Sequence, residues 1–101
     1  MTQKARFGLV LSNRAVVMSG SDAQELLQLA EVAEGSGAFE HVWVGDSILA
    51  KPRVESLTLL AAIAARTRRV RLGVACMASL PSRDPVVLAH VVGTLDRVAE
   101  G

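Results

Sequence analysis

The sequence predicts an α/β fold in which three parallel strands alternate with three helices. Apolar runs that suit strands begin near residues 6, 41 and 70, so a strand and a helix repeat about every thirty residues. No hairpin signal lies between these runs, which favours parallel strands joined by right-handed crossovers. Half of the residues are hydrophobic and only 3% are aromatic, and this palette of Ala, Val and Leu is typical of helices packed on a parallel sheet.

The first predicted strand is followed by a loop and an amphipathic helix. The strand covers residues 6–11 and ends in polar residues, and the loop continues through residues 19–21. Asp22 then has the position of an N-cap, with Glu25 three residues later as in a capping box. Apolar residues recur at helical spacing after it, and the glycines within residues 35–37 end the helix.

The second predicted strand, residues 41–44, leads directly into polar residues. It is a short continuous apolar run, as expected of a parallel strand that is covered on both faces. Gly45, Asp46 and Ser47 follow it. In β/α folds the groups that act on ligands lie where such strands end. Asp46 and Ser47 are therefore the first candidates for a functional site.

A second helix is predicted over residues 54–67 and a third strand over residues 70–76. The helix is apolar nearly all round, so it must be covered on most sides. After a loop over residues 77–83, Asp84 as N-cap and Pro85 at the first helical position begin a third helix. Its buried stripe is predicted to consist of five apolar residues: Leu88, Val91, Val92, Leu95 and Val98.

Two architectures fit this order of elements: a doubly wound open sheet and the first part of an eight-fold β/α barrel. A dinucleotide-binding sheet needs glycines in the turn after its first strand, and residues 11–15 contain none. The barrel is therefore favoured, with residues 1–101 as the N-terminal part of its domain. A complete barrel takes about 250 residues, so we expect an incomplete barrel with three of eight units, from a larger protein. Its open edges predict a homo-oligomer or an aggregation-prone chain.

Composition and charge argue against several classes of function. Eleven Lys and Arg against ten Asp and Glu leave a formal charge of +1, so nothing favours a nucleic acid or a membrane as partner. The arginines within residues 66–71 suit the C-terminal end of a helix. Cys76 has no second cysteine to pair with, and its spacing to His41 and His90 matches no zinc site. No signal peptide and no run of about 18 apolar residues is recognised, so we expect a cytoplasmic protein.

Several motifs occur in a fixed order along the chain. A Val-Trp-Val strand with its Asp and Ser spans residues 42–47, and Glu55 opens an alanine-rich helix that runs into residues 61–73. Residues 83–85 read Arg-Asp-Pro, and Asp96 lies late in the last helix. This ordered set resembles the luciferase-like monooxygenases, which are flavin- or deazaflavin-dependent oxidoreductases on a β/α barrel. The resemblance covers nearly the whole chain.

The resemblance implies roles for five residues. Asp46 would lie beside the ring of FMN or of the deazaflavin coenzyme F-420. Ser47 stands where deazaflavin dehydrogenases often have a histidine that transfers a proton, and a serine is a poor general base at neutral pH. The third strand would end in a bulge against the ring, through a non-proline cis peptide between Ala75 and Cys76, with Met77 just beyond. These positions are the predicted cofactor contacts, and Ser47 is the predicted catalytic residue.

The implied function is hydride transfer or oxygen activation on the cofactor, with a small-molecule substrate and NAD(P)H as a candidate reductant. We expect the 101-residue chain alone to be inactive. Two alternatives stay open: a different β/α-barrel enzyme, such as a phosphate-binding barrel, and a non-enzymatic fragment that self-associates through its open edges. Asp46 would then cap a loop or a helix. Arg83 would contact a cofactor phosphate, or it would pair with Asp84 or Glu55.

Overall fold

The computed structural model describes residues 4–48 and 51–101, which form an α/β fold. Its three strands are β1 (Gly8–Leu11), β2 (His41–Gly45) and β3 (Arg71–Ala75). They form one parallel sheet in the order β1-β2-β3. The predicted strands, their parallel direction and their alternation with helices are confirmed.

The helices all connect or follow these strands. They are α1 (Ala15–Met18), α2 (Ala23–Ser36), α3 (Ser56–Arg66) and α4 (Pro85–Val98), with a 3-10 turn over Leu80–Ser82. The short α1 lies where we predicted only a loop, because four residues are too few to show helical periodicity in a sequence. The other three helices occupy the predicted positions, with ends that differ by at most two residues.

The predicted helix caps explain where two of the helices begin and where one ends. The Asp22 side chain accepts a hydrogen bond from the Gln24 amide at 3.0 Å, and Asp84 accepts two from the first turn of α4. Gly37 ends α2 in the left-handed conformation, with φ of 70°, which glycine adopts without steric cost. The Asp22 side chain binds the Gln24 amide and not that of Glu25, and among the described residues the Glu25 side chain accepts no bond from the Asp22 amide, so the predicted capping box is wrong and Asp22 caps α2 alone.

The core lies on one side of the sheet. Val42 and Val44 point from β2 towards the helices and are fully buried. On that side α3 contacts both α2 and α4, so it is the central helix of the layer. Ile63 of α3 is also fully buried, as the all-round apolar pattern of that helix predicts. Burial of this apolar surface is the main driving force that holds the helices on the sheet.

The other side of the sheet carries no helix among the described residues, and we call it the open face. It consists of the alternate strand residues that point away from the helices: Gly8, Val10, His41, Trp43, Gly45, Arg71, Gly73 and Ala75. Val10 is 63% exposed there. The Trp43 ring lies flat across Gly8 and Gly73, since a Cβ at either glycine would overlap it. Parallel sheets are normally covered on both faces, so this surface is unusually accessible.

The buried stripe predicted for α4 is only partly correct. Leu88 and Leu95 pack against the core, but Val91, Val92 and Val98 are 39%, 47% and 40% exposed. The reason is that α4 packs on α3 along one edge of its stripe. Periodicity identifies an apolar helix face, and it does not say which neighbour covers that face.

The arginine-rich turn between α3 and β3 is anchored by a carboxylate of α2. Glu34 Oε2 accepts hydrogen bonds from the backbone amides of Arg68, Arg69 and Val70, at 2.8, 2.6 and 3.1 Å. Burial raises the pKa of Glu34, but these three bonds outweigh it and hold the pKa below its ordinary value. The predicted attraction of arginines to the helix end therefore applies to Arg66, which lies in the last turn of α3. Arg68 and Arg69 follow the helix and donate their amides to Glu34, whereas the Arg71 amide donates to the Glu40 carbonyl at 2.8 Å.

Candidate functional site

Asp46 joins three elements at the carboxyl end of the sheet. It follows β2 on the helix side, and its side chain is only 2% exposed. Oδ1 accepts a hydrogen bond from the Ser56 hydroxyl at 2.8 Å, in the first turn of α3. Oδ2 accepts two from Ser79, from the amide at 2.8 Å and from the hydroxyl at 2.6 Å. Asp46 therefore fixes the loop that follows β3 to the ends of β2 and α3.

Arg83 extends this network to the surface. Its Nε donates to the Ser79 hydroxyl at 2.8 Å, and its Nη2 lies 2.9 Å from Glu55 Oε2 and 3.7 Å from Asp46 Oδ1. Of the partners considered for Arg83 from the sequence, Glu55 is the one that the structure shows. The guanidinium thus balances two carboxylates at the same edge of the sheet.

Glu55 also caps α3, although glutamate is not among the preferred N-cap residues. Its Oε2 accepts from the Leu57 amide at 2.9 Å, and its Oε1 accepts from the amide and the hydroxyl of Thr58 at 2.9 and 2.8 Å. Burial raises the pKa of Glu55. The bonds from Leu57, Thr58 and Arg83 outweigh burial and lower the pKa to about 2.

The same balance keeps Asp46 ionised. Burial raises the pKa of its carboxyl group, but the bonds from Ser79 and Ser56 and the charge of Arg83 lower it further than burial raises it. The net result is a pKa below the ordinary value, so Asp46 is a carboxylate at neutral pH. Since both oxygens already accept hydrogen bonds within the chain, the arrangement suits a residue that holds other groups in position.

Ser47 has its hydroxyl engaged in both directions. It donates a hydrogen bond to the Lys51 carbonyl at 2.6 Å and accepts one from Arg53 Nε at 3.1 Å. A hydroxyl has one proton to donate, and here the Lys51 carbonyl receives it. In this arrangement Ser47 shapes the connection between β2 and α3 and orients the Arg53 side chain.

Asn13 lies at the same end of the sheet, among the polar residues that follow the first strand. It is 1% exposed, and its Oδ1 accepts from the Gly45 amide at 3.1 Å. Its Nδ2 donates to the carbonyls of Gly45 and Val54 at 2.8 and 3.0 Å. The Val54 amide also donates to the Asn13 carbonyl at 3.2 Å. Asn13 thus clamps the end of β1 to β2 and to the segment that returns towards α3.

The predicted cofactor contacts at the end of β3 point in two directions. Ala75 and Cys76 are exposed, whereas Met77 packs against the core. All peptide bonds among the described residues are trans, so the expected cis bond between Ala75 and Cys76 is wrong. The chain turns instead through a left-handed Cys76, with φ of 56°, and the Ala78 amide bonds its carbonyl at 2.7 Å. This conformation is uncommon for a residue other than glycine and is often found at functional sites.

Comparison with known proteins assigns the chain to a family. A sequence profile of the family described as luciferase-like monooxygenase matches residues 5–101. The chain belongs to the luciferase-like monooxygenase family. Members of this family generally use reduced flavin-type cofactors on a (β/α)8 barrel. A search of curated proteins found no match to the chain.

Three of the four motifs that indicated the luciferase-like family meet in space, whereas the fourth, Asp96, lies exposed on α4 outside this network. Asp46, Glu55 and Arg83 come from three separate motifs, and all three belong to one network of ion pairs and hydrogen bonds. Ser56 and Ser79 complete it, and sequence reasoning missed both because serines carry no spacing signal of their own. The spacing between these motifs thus matches the length of the intervening helix, strand and loops that bring their side chains to one end of the sheet.

Two further classes of feature are not found in the part of the chain that the structure describes. No group of three or more His, Cys, Asp or Glu side chains is arranged to hold a metal ion within residues 4–48 and 51–101. Over the same residues, no helix has both the length and the apolar character needed to cross a membrane.

Proposed function

We propose that this chain supplies one wall of the cofactor site of a flavin- or deazaflavin-dependent oxidoreductase that acts on a small molecule. In this proposal its strands are the first three of a (β/α)8 barrel, and the open face points into that barrel. The observation that carries the proposal is the accessible carboxyl end of the open face, formed by residues of a family whose members generally use flavin-type cofactors.

The residues at this end fit a flat aromatic ring. Ala75 at the end of β3 is exposed and has only a methyl side chain. Its partner Gly45 of β2 is covered on this face by the Arg53 guanidinium, which would border the ring. Trp43 lies two residues before Gly45 on the same face, and its ring covers Gly8 of β1 and Gly73 of β3 with an apolar surface. Cys76 is exposed at the rim, where its left-handed backbone turns the chain away from the sheet. A ring of FMN or coenzyme F-420 would therefore contact Ala75 and Cys76 first.

When bound, the flavin or deazaflavin supplies the hydride transfer or oxygen activation, with NAD(P)H as a reductant in the oxygen-activating case. The chain supplies position and electrostatics. Asp46 would hold the loop after β3 in a fixed position relative to the end of the sheet, through its two hydrogen bonds from Ser79. Met77 would support that loop from the core side. We propose that Ser47 orients Arg53 and does not act as a general base, because its hydroxyl is already engaged with Lys51 and Arg53.

Binding to the 101-residue chain tests this proposal. We expect weak, saturable binding of FMN or coenzyme F-420, with a dissociation constant on the order of millimolar because only part of the ring would be contacted. Amide chemical shifts of Gly45, Ala75 and Cys76 should change most in a ¹⁵N NMR titration. Ala75→Leu fills the position of the ring and should abolish these shifts.

Arg71→Leu provides the matched control, because Arg71 is an exposed open-face residue at the opposite end of the same strand. It should leave the titration unchanged. The proposal is wrong if no saturable shifts occur, if they cluster at the Arg71 end, or if Ala75→Leu has no effect. Binding tighter than micromolar would contradict our expectation that the chain alone holds the cofactor only weakly.

A second candidate is self-association without catalysis, and the apolar surface of α4 favours it. Val86 and Val87 are 78% and 60% exposed at the start of that helix. Exposed apolar residues that continue along one helix are a common basis for association. Sedimentation velocity over a hundredfold range of concentration tests it. A discrete dimer that persists on dilution supports self-association, and a monomer throughout refutes it.

A further inference from the structure

We infer that Arg53 forms a binding site for an oxyanion on the open face, next to the proposed ring position. The ligand group would be a carboxylate or a phosphate, which the planar guanidinium binds through two parallel N–H donors. This inference deepens the proposed function, because it names a chemical group of the ligand that the open face would bind.

The position of Arg53 is defined by Gly45. A Cβ at position 45 would overlap Nη1 of Arg53, so the guanidinium lies directly against the backbone of β2. Because Gly45 belongs to the open face, the guanidinium lies on that face at the carboxyl end of the sheet. Gly45 pairs with Ala75 of β3, which brings the cation beside the exposed end of that strand.

Two polar residues hold the Arg53 segment in this place. Asn13 fixes the neighbouring Val54 through both its side chain and its carbonyl. Ser47 accepts a hydrogen bond from Arg53 Nε at 3.1 Å. The side chain is half-buried, although a long charged side chain gains conformational entropy by extending into water.

The charge of Arg53 has no carboxylate partner. All Asp and Glu residues lie within the described residues 4–48 and 51–101, and none has a carboxylate oxygen within 4.0 Å of Arg53. Arg83, the other arginine at this end of the sheet, lies close to two carboxylates. With Nε bound to Ser47, the two Nη groups of Arg53 make no hydrogen bond to the described residues, and they are the donors that we propose for the ligand. A half-buried cation attracts an anion more strongly than a solvated one does, because the local dielectric constant is lower.

The arginine cluster at the opposite end of the sheet does not have these properties. Arg69 donates to the Glu34 carbonyl and Arg68 donates to the Thr67 carbonyl, and both are exposed. Water therefore screens their charge, and their guanidinium groups already donate hydrogen bonds to carbonyls of the chain itself. Arg71, which is also exposed, shares the open face with Arg53 and serves as its control.

The test is a titration of the 101-residue chain with inorganic phosphate at constant ionic strength, observed at the arginine Nε–H signals by ¹⁵N NMR. We expect a saturable shift of the Arg53 signal, which is identified by its disappearance in Arg53→Gln. Binding to the variants is followed at the backbone amide signals of Ala75 and Cys76, because Arg53→Gln lacks the Arg53 signal. Arg53→Gln should weaken phosphate binding about tenfold or more, while Arg71→Gln leaves it unchanged. Gly45→Ala keeps every charge but displaces Nη1, and it should also weaken binding.

Competition identifies the source of the oxyanion. Displacement of phosphate by FMN but not by riboflavin would point to the cofactor phosphate, and displacement by acetate would point to a substrate carboxylate. Both outcomes support the site. Linear shifts of equal size at Arg53 and Arg71, or unchanged binding in both Arg53→Gln and Gly45→Ala, would overturn it. Since phosphate contains no ring, this result is independent of whether Ala75→Leu abolishes flavin binding.

Discussion

Replacing Asp46 by Asn removes a charge without changing the shape of the side chain. The amide oxygen can keep both bonds from Ser79, and the amide nitrogen then faces the Ser56 hydroxyl. That hydroxyl can turn and accept, because Glu55 Oε2 lies 3.2 Å away as another acceptor for its proton. No buried donor loses its partner. The change therefore removes charge assistance from three hydrogen bonds, together with the 3.7 Å pairing to Arg83.

The size of the loss follows from these contacts. A hydrogen bond to a charged group contributes about 1.5–3 kcal/mol and a neutral one about 0.5–1.5 kcal/mol. Each of the three bonds should lose about 1 kcal/mol, and coupling within the network reduces the sum. We expect Asp46→Asn to lower the free energy of unfolding by about 2–3 kcal/mol. Urea unfolding at pH 7, followed by the fluorescence of the single Trp43, measures it.

Asp96→Asn is the matched control for this prediction. Asp96 is exposed on α4, and the described residues give it no side-chain hydrogen bond or ion pair. The control should therefore change stability by less than about 0.5 kcal/mol. An equally small effect of Asp46→Asn would refute the argument that the Asp46 network holds the loop after β3, because the charge assistance of three hydrogen bonds should contribute more than this.

Two further predictions concern the same end of the sheet. Asn13→Ala leaves the buried amide of Gly45 and the carbonyl of Val54 without their side-chain partner, so unfolding by urea should show a loss of about 2–4 kcal/mol, and a loss below 1 kcal/mol would contradict the clamp. Glu55 has a folded pKa of about 2 against an ordinary 4.5, so its stabilisation is present above pH 4.5 and is lost as the pH falls towards 2. After allowance for solvent screening of a side chain that is 43% exposed, this amounts to about 1 kcal/mol. Glu55→Gln should reduce by that amount the loss of unfolding free energy that occurs as the pH falls from 4.5 towards 2. The same loss in the variant and in the unchanged protein would show that Glu55 does not contribute.

The order of elements was predictable because its signals are local. The Asp22 and Asp84 caps and the Gly37 stop each depend on a few neighbouring residues, and each appears where the sequence indicated. The exposure of Val91 and Val92 was not predictable, because it depends on which element packs on α4. Periodicity describes one helix alone, whereas burial is a property of two surfaces in contact.

The residues of the candidate site were also predictable only in part. Asp46 and Ser47 were identified because polar residues directly after an apolar strand lie at the end of a sheet. Their hydrogen-bond partners were not identified, since Ser79, for example, lies 33 residues from Asp46 in sequence. Asn13 carried the same signal as Asp46, a polar residue after an apolar strand, and it could have been given equal weight. The position of Arg53 depends on Gly45, and only the folded chain shows that the glycine accommodates a guanidinium.

The three residues after Val44 combine support and binding because side chains alternate along a strand. Gly45 faces the open side and admits the Arg53 guanidinium, whereas Asp46 faces the helix side and fixes the loop after β3. Ser47 then orients Arg53. A shift of one residue would direct the carboxylate towards the open face and leave the loop without its acceptor. It would also place the Asp46 carboxylate where we propose that Arg53 binds an oxyanion, and the carboxylate would compete with the ligand for the cation. The order glycine, aspartate, serine therefore separates the group that supports the site from the group that would bind its ligand.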